Sequence, residues 1–253
     1  MATISNVVFD MGGVLMDWNP EKISLALCPD PDDAALLRKA VFDSREWGWV
    51  DAGAIAPETV AWTAKLKLPK RLHDLADTFA LRWYDEFDPL PATGELVREL
   101  KDEGYGVYLL SNAGTTFEAY RDRIPAIDTF DGILVSCYEH VVKPDAAIYQ
   151  LFYKRFGLQA ESCLFVDDMR RNVVGAERVG MQGYVYDGDV DTLRAFIHNQ
   201  WGCIKSPLSR TGGSLAEPTR STQGLLIQPR CWRVVALPYS NLVSNSKEFV
   251  SPR

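Results

Sequence analysis

The feature that most constrains the fold of this chain is a set of short apolar runs, each followed by polar residues or glycine. The runs span residues 4–9, 106–110, 132–135, 163–166 and 183–186. Continuous apolar runs of this length are typical of strands that are buried on both faces of a parallel sheet. Segments with helical periodicity separate them, at residues 94–103, 146–156 and 173–179. The alternation predicts an α/β fold with a doubly wound parallel sheet, in which ligands bind at the carboxyl ends of the strands.

One long insertion interrupts this alternation. Residues 18–88 directly follow the first strand, are rich in Trp and Leu, and contain helical patterns rather than strands. We therefore predict a helical cap domain at residues 18–88 and a core domain formed by residues 1–17 and 89–201. Aromatic residues of the insertion are candidates for a substrate pocket, although aromatics at helical spacing more often belong to a core. They are Trp47, Trp49, Trp62, Trp83 and Tyr84.

The C-terminal residues 202–253 differ in character from the rest of the chain. Ser, Pro, Gly and Thr crowd residues 206–222, and the segment contains seven Lys or Arg against two Glu. Hydrophobic periodicity is lost there. We predict a flexible tail that has no fold or function of its own.

The charge of the chain limits the classes of partner that we expect. A formal net charge of −7 and an isoelectric point near 5.1 offer no basic surface for nucleic acid or an anionic membrane. No apolar stretch reaches about 18 residues, and no basic region precedes the first apolar run. We expect a cytoplasmic protein without nucleic-acid or membrane partners, as a monomer or a dimer.

The first strand ends in a carboxylate. Asp10 follows the run at residues 4–9, and Met11, Gly12 and Gly13 come next. A carboxylate at the carboxyl end of a buried strand can act as a nucleophile, and glycines let the backbone approach a bound ion or phosphate. A tight turn would show the same pattern, so this motif alone leaves both interpretations open.

Two further motifs carry groups suited to a phosphoryl group. The run at residues 106–110 continues into Ser111 and Asn112, and Lys143 precedes Pro144 at the start of a predicted helix. A serine hydroxyl with nearby backbone N–H groups can hold phosphoryl oxygens, and a lysine is a point cation for a dianion. The alternatives are a helix cap and a solvated lysine.

The run at residues 163–166 ends in two adjacent carboxylates, Asp167 and Asp168. Two unpaired acids in that place repel each other unless a cation lies between them, which favours a hard divalent ion such as Mg²⁺. The alternative is that both acids cap the helix that begins near Met169, with Arg170 or Arg171 as partners.

Taken together and in this order, the four motifs resemble those of the haloacid dehalogenase-like hydrolases, from Thr3 to about Trp201. FDMGGVL resembles the nucleophile motif, SNAG the serine motif, VVKPD the lysine motif and FVDDMRRN the acidic motif. The resemblance implies a Rossmann-like core, an aspartyl-enzyme intermediate and Mg²⁺ as cofactor. The insertion point resembles that of the helical-cap subgroup, and the FDxGGVL form resembles relatives of sugar-phosphate phosphatases.

The resemblance also implies roles for individual residues. The expected catalytic residues are Asp10, Ser111 and Lys143, and the expected phosphate-binding residues are Ser111, Asn112 and Lys143. The expected Mg²⁺ ligands are Asp10, Asp168, Asp167 and the carbonyl of Gly12, with Asn172 orienting the acidic loop. The implied function is Mg²⁺-dependent hydrolysis of small phosphate monoesters, sugar phosphates among them.

One position departs from the family pattern. The family's phosphatases commonly carry an aspartate as general acid and base two residues after the nucleophile, and this chain has Gly12 there. Loss of a general acid typically lowers the rate by about 10²–10⁴. We therefore expect aryl and anomeric phosphates to react faster than alkyl phosphates, with Asp17 as a candidate substitute donor.

Two rival functions stay open from the sequence. A 2-haloacid dehalogenase would use the same Asp10 without a metal, although the paired acids Asp167 and Asp168 would then have no purpose. A non-catalytic binding protein could have kept the fold and lost the proton donor at Gly12.

Overall fold

The computed structural model describes residues 4–200. Five strands form one sheet in the order β3-β2-β1-β4-β5, and every neighbouring pair is parallel. The strands are β1 (Asn6–Phe9), β2 (Gly106–Ser111), β3 (Gly132–Val135), β4 (Cys163–Asp167) and β5 (Gln182–Val185). Each predicted run contains or overlaps one of these strands, so the predicted α/β fold with a doubly wound parallel sheet is confirmed.

Eleven α-helices lie among residues 4–200. Those between β1 and β2 are α1 (Pro20–Leu27), α2 (Pro31–Ala40), α3 (Arg45–Asp51), α4 (Pro57–Lys67), α5 (His73–Leu81) and α6 (Pro91–Asp102). Those after β2 are α7 (Phe117–Tyr120), α8 (Ser136–Glu139), α9 (Ala146–Phe156), α10 (Arg170–Glu177) and α11 (Val190–Gln200). None of these helices is both long enough and apolar enough to span a membrane.

The sheet is buried on both faces. Val7 and Phe9 belong to one apolar cluster, whereas Val8 belongs to a second cluster with residues such as Phe152 and Phe165. Successive side chains of a strand point to opposite faces, so β1 contributes to both clusters. This arrangement explains why the sequence of β1 is continuously apolar rather than alternating.

Local signals set the start of the helices in the insertion. Asp30 caps α2 by accepting from the N–H groups of Asp32 and Asp33, and Ser44 caps α3 by accepting from the N–H of Trp47. Prolines occupy the first turn of α1, α2 and α4, where the missing N–H costs nothing. Helices therefore fill the predicted insertion, while its treatment as a separate domain with bounds at residues 18 and 88 stays a prediction. The predicted tail, residues 202–253, lies outside the described residues.

Candidate active site

A cavity of about 410 Å³ lies at the carboxyl ends of β1, β2 and β4. Seven of the eight residues that the sequence assigns to the site line this cavity: Asp10, Gly12, Ser111, Asn112, Lys143, Asp168 and Asn172. The eighth, Asp167, is fully buried and contacts Lys143. The residues converge because parallel strands end at the same sheet edge: Phe9, which precedes Asp10, pairs with Leu109 on one side and Val166 on the other.

We call four charged residues the charged floor: Asp10, Lys143 and Asp168, which line the cavity, and Asp167, which contacts Lys143. Lys143 Nζ lies 2.7 Å from Asp10 Oδ1 and 2.7 Å from Asp167 Oδ2. Its side chain is buried, and the ammonium also lies 5.4 Å from the centre of the Phe165 ring. A buried ammonium held by two carboxylates is fixed in place as a cation for an incoming anion.

Hydrogen bonds occupy both oxygens of Asp167. Oδ1 accepts from the Met169 N–H at 2.8 Å and from Asn172 Nδ2 at 3.0 Å, while Oδ2 accepts from Asn172 Nδ2 at 3.0 Å and from Lys143 Nζ. Asp167 therefore orients Lys143, and Asn172 orients Asp167. The carboxylates of Asp10 and Asp168 face the cavity with fewer protein partners.

The backbone at Lys143 is tied to the serine motif. Asn112 Nδ2 donates to the Lys143 carbonyl at 3.0 Å, and the Lys143 N–H donates to Asn112 Oδ1 at 2.8 Å. The Lys143–Pro144 peptide bond is cis. The amide of Asn112 is thus engaged in holding the lysine loop, a role that the sequence motif did not indicate.

Burial perturbs two carboxyl groups of the charged floor, those of Asp10 and Asp168. It raises the pKa of Asp10 to about 8, with Lys143 acting in the opposite direction and Asp167 in the same direction. Burial and the charge of Asp167 also raise the pKa of Asp168. Ionisation of these groups at neutral pH is favoured by additional positive charge at the site.

The donor set fits a divalent cation. Asp10, Asp167 and Asp168 each offer a carboxylate oxygen, and these atoms lie within 4.8 Å of one another. One lysine does not balance three carboxylates, and oxygen ligands are those that Mg²⁺ prefers. Asn172 Oδ1, which is buried and has no hydrogen-bond partner, is an acceptor that a water bound to such a cation would satisfy.

Gly13 is required by the approach of the acidic motif. Its φ is +74°, and a Cβ there would lie 2.5 Å from Cγ and Oδ2 of Asp168. Gly12 has no positive φ, although a Cβ would come within 3.2 Å of Cβ of Trp18. The second glycine of the motif is therefore needed for the site geometry, whereas the first is replaceable with a small shift.

The amino-acid sequence of the chain matches a known family. The model of the haloacid dehalogenase-like hydrolases matches residues 4–180. The sesquiterpene phosphatase astK of Aspergillus oryzae is 31% identical over 182 residues, which covers 72% of this chain and 89% of that protein. The chain belongs to the haloacid dehalogenase-like hydrolases. A phosphatase of Mycobacterium tuberculosis is 26% identical to this hydrolase over 212 residues, which covers 78% of this chain and 94% of that protein.

Solved structures share the fold of this hydrolase. A wild-type haloacid dehalogenase family enzyme of Bacteroides thetaiotaomicron, crystallised with magnesium and inorganic phosphate, superposes with a TM-score of 0.56 at 20% identity, over 75% of this chain and 98% of that one. The L-2-haloacid dehalogenase of Xanthobacter autotrophicus superposes with a TM-score of 0.54 at 23% identity, over 81% of this chain and 85% of that one. An enzyme that binds magnesium and phosphate and a haloacid dehalogenase thus share this fold.

Aromatic side chains of this hydrolase line the cavity beside the charged floor. We call this set the aromatic wall: Trp18, Phe42, Trp47, Trp83, Phe87 and Tyr120. The rings contact one another, with centroids 6.0 Å apart for the stacked pair Trp18–Trp47 and 5.5 Å apart for Trp83–Tyr120. The wall is part of a continuous apolar cluster, so it is both core and cavity lining.

The sequence identified only part of this wall. Trp47 and Trp83 line the cavity as candidates from the insertion, but Trp49 and Trp62 are 51% and 62% exposed and lie outside the cavity lining. The sequence did not indicate the other four rings, which are Trp18, Phe42, Phe87 and Tyr120. No motif marks these positions, because they come from separate segments that meet only in the folded chain.

Asp17, the candidate substitute proton donor, lies outside the cavity lining. Its carboxylate pairs with Lys22 Nζ at 2.7 Å on the surface. In the described residues it is therefore placed to stabilise the start of α1 rather than to reach a substrate.

Proposed function

We propose that this hydrolase cleaves phosphate monoesters of apolar alcohols with Mg²⁺, through phosphoryl transfer to Asp10. The observation that carries the proposal is the position of the charged floor directly beside the aromatic wall in one cavity. A dianionic phosphoryl group is complementary to a fixed ammonium and a divalent cation, and an apolar leaving group is complementary to aromatic rings.

The residues of the charged floor and of the serine motif have different roles in the transfer of the phosphoryl group. Asp10 attacks phosphorus, and Lys143 and Ser111 hold the non-bridging oxygens, while Asp167 and Asn112 position Lys143. Mg²⁺, held by Asp10, Asp168 and the Gly12 carbonyl, would supply positive charge against the phosphoryl oxygens. Water then hydrolyses the aspartyl phosphate and regenerates Asp10.

The aromatic wall favours an apolar leaving group over the sugar phosphates that the FDxGGVL motif suggests. A polyhydroxylated sugar would place hydroxyl groups against aromatic carbon, and each hydroxyl without a hydrogen bond costs free energy. An alkyl or prenyl chain loses nothing there. The name of the Aspergillus oryzae relative, a sesquiterpene phosphatase, supports the same class of substrate.

The charged floor argues against dehalogenase chemistry. Displacement of halide from carbon by a carboxylate needs no divalent cation, and three clustered carboxylates would be an electrostatic cost without a use. Phosphoryl transfer uses that cluster.

A screen of three phosphate esters with and without Mg²⁺ tests the proposal: octyl phosphate, 4-nitrophenyl phosphate and glucose 1-phosphate. We expect Mg²⁺-dependent release of phosphate, with a higher kcat/KM for octyl phosphate than for glucose 1-phosphate. The anomeric oxygen is the better leaving group, so this preference would have to come from binding to the aromatic wall. Preference for the sugar phosphate would contradict the assigned leaving group, and no hydrolysis of any ester would contradict the function.

Calorimetry on two variants tests the metal site. Asp168→Asn should abolish Mg²⁺ binding, because it removes a ligand that faces the cavity. The matched control is Glu103→Gln, which alters a second group of possible ligands, Glu99, Glu103 and His198, outside the cavity lining. Equal Mg²⁺ affinity in wild type and Asp168→Asn would place the metal elsewhere.

A further inference from the structure

We propose that Asp51 is the general acid and base of this hydrolase, supplying from the insertion the proton that position 12 cannot supply. This inference rests on the phosphatase function proposed above. Asp51 is the last residue of α3 and lines the same cavity as Asp10, Ser111 and Lys143. It therefore reaches the reaction space from a different element than the four sequence motifs.

The backbone of Asp51 is fastened to the core at the serine motif. Ser136 Oγ donates to the Asp51 carbonyl at 2.6 Å and accepts from the Ala113 N–H at 3.0 Å. One buried hydroxyl thus links the end of α3 to the loop that follows β2. Because Ser111 ends β2 directly before that loop, the position of Asp51 is tied to that of the phosphate-binding residues.

Two glycines permit this close approach. A Cβ at Gly114 would lie 2.3 Å from Cγ1 of Val50, and a Cβ at Gly53 would lie 2.1 Å from the Cys137 carbonyl oxygen. Gly53 also has a φ of +64°, which an L side chain rarely adopts. The segment on either side of Asp51 is therefore in van der Waals contact with the core, and the carboxyl group is held at a defined place.

The surroundings suit a proton donor. Burial raises the pKa of Asp51 to about 7, with the charge of Lys143 acting in the opposite direction. Tyr120 and Cys137 are the other titratable groups near it, and burial together with the Asp51 charge raises the pKa of each. A general acid is most effective when its pKa lies near the working pH.

Two other carboxylates near the cavity mouth are less suitable. Asp43 also lines the cavity, but its side chain is 48% exposed and lies 3.5 Å from Arg38. Asp17 pairs with Lys22 outside the cavity lining. Among these three insertion and loop carboxylates, Asp51 alone is partly buried, lines the cavity and has no ion pair within the described residues.

The proton balance closes over both steps. As the Asp10 oxygen bonds to phosphorus and the bond from phosphorus to the bridging oxygen breaks, protonated Asp51 gives its proton to that oxygen and the alcohol leaves. Ionised Asp51 then takes a proton from the water that attacks the aspartyl phosphate. Hydrogen phosphate leaves, Asp10 is regenerated as a carboxylate, and Asp51 is protonated again.

The test compares kcat/KM for two esters in wild type, Asp51→Asn and the control Asp17→Asn. This parameter reports the steps up to phosphoryl transfer, where the leaving group departs. For octyl phosphate, a poor leaving group, Asp51→Asn should lower kcat/KM by about 10²–10⁴. For 4-nitrophenyl phosphate, which leaves without a proton, kcat/KM should change by only a few-fold, and Asp17→Asn should match wild type with both esters.

A pre-steady-state measurement adds an independent readout. Asp51→Asn should release nitrophenol in a burst followed by a slow phase, because transfer to Asp10 stays fast while hydrolysis of the intermediate loses its base. The ratio of the two kcat/KM values does not depend on the fraction of folded enzyme, so poor folding of the variant cannot imitate the result.

The outcomes separate the two proposals. Equal losses of kcat/KM with both esters in Asp51→Asn would mean that Asp51 only positions the loop after β2. Unchanged kcat/KM with both esters would mean that Asp51 has no role in the reaction. If Asp17→Asn instead lowers kcat/KM for octyl phosphate alone, Asp17 is the general acid. If wild type with Mg²⁺ hydrolyses neither ester, the phosphatase function itself fails, whatever Asp51 does.

Discussion

The charged floor and the aromatic wall are built in different ways, although they line the same cavity. Each residue of the floor stands at or near a motif that follows a strand, and hydrogen bonds such as those of Asn172 to Asp167 define its geometry. The wall is assembled from rings of separate segments that pack on one another. In the proposed function the floor carries out the reaction, and the wall selects the leaving group.

This contrast predicts that substitutions in the charged floor and in the aromatic wall affect stability and activity differently. A buried charge that loses its partner affects both chemistry and stability, because it cannot be solvated. A ring removed from the wall affects mainly the binding of an apolar substrate, since the loss is proportional to the apolar area. Asp51 belongs to neither part, and it is a polar residue of the insertion that lines the same cavity.

The largest effect is expected from Lys143→Met. The change leaves Asp10 and Asp167 buried without their shared cation, so the free energy of unfolding without metal should fall by about 3–5 kcal/mol. With nitrophenyl phosphate as the substrate, kcat/KM should fall on the order of 10³-fold, as for other losses of a fixed charge-stabilising group. Urea unfolding in the presence of a chelator and steady-state kinetics measure the two effects.

The matched control is Lys22→Met, which removes an exposed lysine that also contacts two carboxylates, Asp17 and Asp88. Solvent screens that pair, so little change is expected in stability or activity. Similar losses of stability in the two lysine variants would show that burial does not distinguish the floor from the surface.

A smaller effect is expected from Trp47→Ala, which tests the wall. Loss of this ring should lower kcat/KM for octyl phosphate about tenfold and leave that for methyl phosphate nearly unchanged, because only the octyl chain reaches the rings. The control Trp62→Ala removes an exposed ring of α4 and should change neither value. Equal losses with both esters in Trp47→Ala would mean that the ring supports the floor rather than the leaving group.

The last prediction concerns the pH dependence of stability and tests the environment of the Asp51 carboxyl group. Burial raises its pKa from the ordinary value of 3.8 to about 7. Between these pH values the folded state retains a proton that the unfolded chain has released, so the contribution of Asp51 to the free energy of unfolding falls as pH rises. Asparagine does not titrate in this range.

The measurement is the difference in unfolding free energy between wild type and Asp51→Asn from pH 4 to pH 8, at constant Mg²⁺. Wild type should lose stability relative to the variant as pH rises to about 7, and the difference should then level off. Asp17→Asn controls for loss of an exposed carboxylate. A flat difference across the range would mean that Asp51 is solvated in the folded protein.

The sheet and the charged floor could be predicted from the sequence, because each depends on which residues follow one another along the chain. An apolar run predicts a buried strand, and the next residue then lies at the sheet edge where ligands bind. Asp10, Ser111 and Asp167 could be placed by this argument alone. The tie between Asn112 and Lys143 could not, since it joins two loops that are adjacent only after the sheet has formed.

The wall could not be assigned in this way, because helix rotation decides which ring faces the cavity. Trp47 and Trp49 are both in α3, but two residues correspond to about 200° of rotation, so they point to opposite sides. The sequence gives no signal for which side meets the core. The same limit applies to Asp51, whose place depends on a hydrogen bond from Ser136.

The central position of β1 also has a consequence for the order of folding. Residues 6–9 are made first, yet they pair with residues 106–109 on one side and 163–166 on the other. During synthesis the first strand cannot pair on both sides until the fourth strand has been made, so its apolar side chains remain exposed until then. Contacts of such long range slow folding and expose the chain to aggregation. The surroundings of Asp10, the proposed nucleophile at the end of that strand, are therefore completed only when most of the described chain has been made.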